Sequence, residues 1–175
     1  MPQQPNIRPE VDKMDNIKKI TSFTVDHRYI VPGIYVSRID GDITTYDMRT
    51  RRPNCGDYMD NATMHSFEHM FATYVRNSAL GDKVIYFGPM GCQTGFYLLM
   101  RDVSDADTLD VVLSVLKNII AHDGEMFGCS EIECGNYKNL SVDAAKIEAR
   151  KYLAALEASE NNFIYGEKKW TILSE

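Results

Sequence analysis

Two histidines and a glutamate in one short stretch, His65-Ser66-Phe67-Glu68-His69, have the types and spacing for metal-assisted proton transfer. On an α-helix, residues four apart project from one face, so the imidazoles of His65 and His69 can reach one divalent ion. Glu68 sits beside them, close enough to exchange a proton with whatever that ion polarises. The bare spacing also occurs in helices that do no chemistry, where each histidine is a hydrogen-bonded core residue. The intervening glutamate weighs against that reading. A carboxylate on an apolar, histidine-bearing face costs free energy unless it is paired or used.

Two thiols are further candidates. Cys92 lies in Gly88-Pro89-Met90-Gly91-Cys92-Gln93-Thr94-Gly95, where flanking glycines remove side-chain bulk and let a substrate approach. A thiol near a cation has its thiolate favoured and can act as general acid or base. The alternative is a small packed thiol at a tight turn. Cys134, in Glu133-Cys134-Gly135-Asn136-Tyr137, is open between a functional and a buried structural role.

The elements that must position these groups can be read from periodicity. Met64, Phe67, Phe71, Tyr74 and Val75 recur at helical spacing, which predicts an amphipathic helix with Asn61 or Thr63 as N-cap. Thr21 to His27 alternates polar and apolar residues and predicts a strand. Ile34–Ile39 and Ile43–Arg49 predict a hairpin around Asp40-Gly41-Asp42. Lys83–Phe87 and Gly95–Met100 read as two more strands, one on each side of the Cys92 turn. Ser104 to Asp107 offers cap chemistry for a helix carrying Leu109, Val112, Leu113, Leu116, Ile119 and Ile120, ended by Gly124. A last helix starts at Ser141, with Ala145, Tyr152, Leu153 and Leu156 inward, and Trp170–Leu173 reads as a short edge strand. Antiparallel hairpins interrupted by three helices make an α+β fold with helices on one sheet face. The other face has apolar residues to cover, which predicts a symmetric dimer.

Composition bounds the class. The length fits one domain over residues 19–175, preceded by a loose, proline-containing arm over residues 1–18. A net charge of −6 argues against nucleic acid and anionic membranes as partners. No apolar run approaches the ~20 residues that span a bilayer, and the N-terminus lacks a hydrophobic signal core, so a cytoplasmic location is expected. Four cysteines without a Cys-x-x-Cys pair support neither a zinc ribbon nor a thioredoxin motif.

The three segments His65-Ser66-Phe67-Glu68-His69, Pro89-Met90-Gly91-Cys92-Gln93-Thr94-Gly95 and Cys134-Gly135-Asn136-Tyr137 occur in the order and approximate spacing of the LuxS family of S-ribosylhomocysteine lyases. Ser22-Phe23-Thr24-Val25-Asp26-His27 and Tyr46-Asp47-Met48-Arg49 resemble its N-terminal strands. The resemblance runs from about Ser22 to Leu156 and implies a four-stranded antiparallel sheet with helices packed on it, in a fold akin to metallopeptidases. His65, His69 and Cys134 are then the metal ligands, with Fe²⁺ as the ion, one per subunit, and Zn²⁺ or Co²⁺ able to substitute. Glu68 and Cys92 are the acid/base pair, and Ser22, His27 and Arg49 contact substrate at a homodimer interface.

The implied reaction opens the ribose of S-ribosylhomocysteine and moves its carbonyl two carbons along the chain. β-Elimination then expels homocysteine and leaves 4,5-dihydroxy-2,3-pentanedione, the precursor of autoinducer-2. Quorum signalling and methyl-cycle detoxification are the implied biology. Proton transfers on different faces of the sugar need at least two groups, hence a thiolate and a carboxylate.

One departure stands out: Tyr86 occupies a place where many relatives carry Asp. Two other readings compete. His65-Ser66-Phe67-Glu68-His69 also fits the inverted zinc motif of metallopeptidases, which needs a carboxylate as third ligand, Glu148 being a candidate. A non-catalytic metal-stabilised domain would instead close its site with a fourth ligand such as Cys129.

Overall fold

In a computed structural model that describes residue 17 and residues 19–166, β1 (Gly33–Asp40) and β2 (Ile43–Arg49) form the expected first hairpin. Gly41 at their turn takes φ +62°, a left-handed conformation that glycine adopts without a Cβ penalty. After α1 (Asn61–Arg76) come β3 (Val84–Pro89) and β4 (Gly95–Arg101), then α2 (Asp105–Ala121) and α3 (Val142–Glu157). All strand pairs are antiparallel, in the order β1-β2-β4-β3. The α+β class and the four-stranded sheet are therefore as the sequence implied. The arm, apart from Ile17, and Trp170–Leu173 lie outside the described residues.

Three details differ from expectation. Thr21–His27 is not a strand: Thr21–Phe23 and His27–Tyr29 are single 3₁₀ turns. Local polar chemistry wins over alternation there, because Asp26 accepts from the Arg28 amide at 3.1 Å and so caps the second turn. The edge of β1 that such a strand would need is taken by the Phe163 carbonyl, which accepts from Val36 N at 2.8 Å. The N-cap of α1 is Asp60 rather than Asn61 or Thr63, its carboxylate accepting from Thr63 N at 2.7 Å. α2 ends at Ala121 with His122 as C-cap, before Gly124 is reached. Ser104 caps α2, within the stretch read as cap chemistry, and Ser141 is the N-cap of α3, one residue before the helix itself begins.

One sheet face, carrying Ile34, Tyr46, Met48, Phe96 and Leu98, is buried beneath the helices. α1 adds Met64, Phe67, Met70, Phe71 and Val75 to that core. Phe71 stacks on Phe87 with ring centroids 4.3 Å apart, and Phe67 meets Phe96 at 4.8 Å. These aromatic contacts fix the roll of α1 about its axis. With the roll fixed, His65, Glu68 and His69 are left half-buried on the flank of the helix.

The other sheet face is polar at its centre. Asp47 and Arg49 alternate with Tyr46 and Met48 along β2 and so point away from the helices. They form a buried ion pair, Arg49 Nη2 donating to Asp47 Oδ2 at 2.5 Å and Nε to Oδ1 at 3.0 Å. The Tyr165 hydroxyl also donates to Asp47 Oδ2, at 2.9 Å, while its ring stacks on Tyr35 at 4.8 Å.

A second buried pair ties the loop before α1 to α3: Arg51 donates to both oxygens of Glu148, at 2.7 and 2.6 Å. The Glu148 side chain is only 1% exposed. Removing the Glu148 charge leaves buried Arg51 with the exposed Asp57, at 3.2 Å, as its remaining ion-pair partner among the described residues. Glu148→Gln is expected to lower stability by about 3 kcal/mol in denaturant unfolding. A loss below about 1 kcal/mol, the range of exposed pairs, would refute this account.

Candidate metal centre

α1 presents His65 and His69 as neighbours, their rings nearly perpendicular with centroids 4.6 Å apart. The connection between α2 and α3 brings in the third group. Its Ser130–Cys134 turn is closed by Cys134 N donating to Ser130 O at 3.0 Å, and it sets Cys134 Sγ 3.3 Å from His65 Nε2. The donor atoms of His65, His69 and Cys134 all lie within 4.8 Å of one another.

The hydrogen bonds behind these ligands test whether a metal fits. His69 Nδ1 lies 2.9 Å from the Phe127 carbonyl, which can only accept, so Nδ1 carries the proton. His65 Nδ1 lies 2.7 Å from Asn139 Oδ1, and the same amide donates through Nδ2 to Asn61 Oδ1 at 3.0 Å. That arrangement makes Asn139 Oδ1 the acceptor, so His65 Nδ1 is also protonated. Both histidines are thus held in the tautomer that leaves the Nε2 lone pair free, as metal-bound imidazoles require. Gly128, at φ +63°, passes so close that a Cβ there would stand 2.9 Å from His69 Nδ1. Two imidazoles and a thiol make a soft, three-donor set of the kind that holds a first-row divalent ion with a position left open. Asn139, Asn61 and the Phe127 carbonyl were not found by sequence reading. A backbone carbonyl leaves no side-chain signal, and nothing marks Asn139 until its distance to His65 is known.

Glu68 is half-buried beside both histidines. Burial pushes its carboxyl above the ordinary range, partly offset by the attraction of His65 and His69 for the carboxylate.

The remaining candidates form a second group. Cys92, exposed on the β3–β4 turn, has its Sγ 3.0 Å from Thr94 Oγ1 and 3.9 Å from Arg49 Nη1. Arg49 Nη1 also donates to Thr94 Oγ1 at 2.6 Å. Ser22, His27 and Arg49 line one small cleft together with Asp47, Tyr97 and Tyr165. Arg49 is thus the link between this cleft and Cys92. Tyr86 lines an adjoining cavity of about 340 Å³ with Ser22, Arg38, Tyr97 and Leu99, and its hydroxyl folds over Gly88, where a Cβ would collide with it. Among the described residues, no hydrogen bond, ion pair or ring contact joins this group to His65, Glu68, His69 or Cys134.

The competing readings lose their ligands here. Glu148 is committed to Arg51 in the buried pair described above, so it is not the third ligand of a peptidase site. Cys129 lies outside the three-donor group and points its thiol to the Tyr137 carbonyl at 3.8 Å.

Residues 20–163 match the family model described as S-Ribosylhomocysteinase (LuxS). The S-ribosylhomocysteine lyase of Borreliella burgdorferi strain ZS7 is 44% identical over 156 residues, covering 85% of this chain and 99% of the relative. The enzyme of the same name from Clostridium beijerinckii is 41% identical over 157 residues, with 85% and 99% covered. That from Finegoldia magna is 42% identical over 157 residues, with 86% and 100% covered.

Proposed function

Because the chain belongs to the S-ribosylhomocysteinase (LuxS) family, we infer that it is a lyase acting on S-ribosylhomocysteine, releasing homocysteine and 4,5-dihydroxy-2,3-pentanedione. The observation that carries the site assignment is the convergence of one ligand atom each from His65, His69 and Cys134, with Nδ1 of each histidine already engaged. Fe²⁺ is the ion assigned to them, one per subunit and replaceable by Zn²⁺ or Co²⁺; when bound, it supplies Lewis acidity toward oxygens of the opened sugar.

The chain's own residues move the protons. Shifting the carbonyl removes a proton from the neighbouring carbon and returns one to the former carbonyl carbon, so an acid and a base are needed on different faces. Glu68 and Cys92 take these parts. Burial favours the protonated carboxyl of Glu68, which suits a group that must keep a proton between steps. Arg49 and Thr94 hold the Cys92 sulfur in place. In the final step a proton leaves the carbon beside the migrated carbonyl. The carbon–sulfur bond breaks, its electron pair departs with sulfur, and protonation yields homocysteine; the enol left behind gains a proton on the carbon that lost sulfur, loses its hydroxyl proton and becomes the dione. Ser22, His27 and Arg49 face the sugar.

The site is read as composite, built by two subunits. Support comes from placement: Arg49 lies on the sheet face turned away from the helices, whereas the metal group belongs to α1 and the α2–α3 connection. A homodimer that brings the sheet face of one subunit toward the metal group of its partner would unite them, with residues 19–175 acting as one catalytic domain. The product is the autoinducer-2 precursor in this reading. Four unpaired thiols favour a reducing, cytoplasmic setting, and among the described residues no helix is long and apolar enough to cross a membrane.

Anaerobic incubation with S-ribosylhomocysteine, followed by thiol titration, tests the reaction; no homocysteine from metal-loaded protein would sink it. Co-expressing Cys92→Ala with Cys134→Ala subunits tests the composite site. Random pairing leaves one intact site in each heterodimer, so activity should recover to roughly a quarter of wild type. Sites built within one subunit would give no recovery.

A further inference from the structure

We propose that Tyr74, His122 and Phe127 form a positioning device for His69, setting the place of the carbonyl that fixes this ligand. The inference rests on the reading of His65, His69 and Cys134 as metal ligands. His122 is a buried histidine with no part in the chemistry above. Its Nε2 lies 2.9 Å from the Glu125 carbonyl, so that nitrogen donates. In the neutral ring Nδ1 is then an acceptor, and the Tyr74 hydroxyl, 2.8 Å away, supplies the proton. Burial and the nearby Asp123 carboxylate raise the Tyr74 hydroxyl above the ordinary phenol range, which keeps it a donor. Both polar atoms of the imidazole are thereby satisfied by one tautomer.

The aromatic faces complete the device. The Phe127 ring meets Tyr74 edge-on at 5.4 Å and His122 at 5.0 Å, and the carbonyl of the same Phe127 receives the proton of His69 Nδ1. Tyr74 and His69 stand on the same helix, so α1 carries both the ligand and the post against which its support is held.

Side chains help to hold this support. The segment of residues 123–129 is neither helix nor strand. Phe127 and Gly128 form a turn within it, Gly128 at φ +63°. Its fastenings include the His122–Glu125 bond, the Phe127 contacts, the bond to His69, Met126 against the core and the Cys129 thiol on the Tyr137 carbonyl. A carbonyl carried by such a loop is only as well placed as those fastenings make it, and outer hydrogen bonds to metal-bound histidines govern affinity. Removing Tyr74 or His122 should therefore be felt at the metal, although neither touches it.

The test is Co²⁺ binding by the full chain, measured by competition with a chelator and by the visible absorption of the bound ion, alongside the melting temperature of metal-free protein. His122→Ala and Tyr74→Phe are expected to raise the Co²⁺ dissociation constant about tenfold, the lower end of the effect of losing an outer-shell partner, and to alter the Co²⁺ spectrum. His122→Gln, whose amide nitrogen can still donate to the Glu125 carbonyl, should recover part of the affinity. Tyr74→Phe keeps the ring and so reads the device even where His122→Ala fails to fold. A lowered melting temperature with unchanged Co²⁺ affinity and spectrum would reduce the trio to ordinary packing and overturn the proposal. Wild-type protein that binds no Co²⁺ would overturn the ligand assignment itself.

Discussion

Cys134→Ala is expected to abolish both metal retention and homocysteine release. The loop thiol is the only one of the three donors that does not come from α1, and without it two imidazoles on one helix must hold the ion alone. Loss of an outer-shell partner already costs roughly 10–100-fold in affinity, and deleting a ligand atom should cost more. The fold should survive the change. Cys134 is only partly buried, and its turn is closed by backbone bonds to Ser130 that alanine keeps. Metal content by elemental analysis, thiol titration of product, and the melting temperature in chelator together separate these effects. A Cys134→Ala protein that keeps its metal and its activity would return the third-ligand question to the carboxylates.

How much of this was legible in the sequence follows from the range of the interactions. His65, Glu68 and His69 are neighbours on one helix, and a spacing rule finds them because the helix geometry is local. The four strands in the sheet and the cap chemistry at Ser104 were equally local, and the structure has them within a residue or two of where they were read. Cys134 is 69 residues from His65, and only the family resemblance pointed to it. The competing carboxylate, Glu148, could be dismissed only when Arg51, 97 residues away in sequence, was found holding both its oxygens. Thr21–His27 failed as a strand for a related reason. Its alternation is real, but a strand needs a free edge, and Phe163 from the far end of the described chain occupies that edge. Pairing of Asp47 with Tyr165 is likewise invisible until the sheet is assembled.

Cys92→Ala is expected to lower kcat by about 10²–10⁴-fold, the usual worth of a positioned acid or base, while leaving metal content at the wild-type level. The contrast with Cys134→Ala is the point of the experiment. Both changes delete a thiol, yet one thiol belongs to the metal group and the other sits on the β3–β4 turn beside Arg49. The turn should not collapse without the sulfur. Its backbone bonds, Met90 N to Gly95 O and Gln93 N to Met90 O, both at 2.9 Å, do not involve the side chain. Arg49 keeps Asp47 and Thr94 as partners and so stays in place with its charge balanced. What disappears is the thiol proposed to take a proton from carbon and give it back. Cys92→Ser separates proton transfer from hydrogen bonding. Its hydroxyl can still bond to Thr94, but it ionises far too reluctantly to act as a base near neutral pH, so it should be nearly as slow as alanine. A serine variant close to wild-type rate would mean that Cys92 positions substrate rather than moving protons, and Glu68 would then have to serve both faces of the sugar.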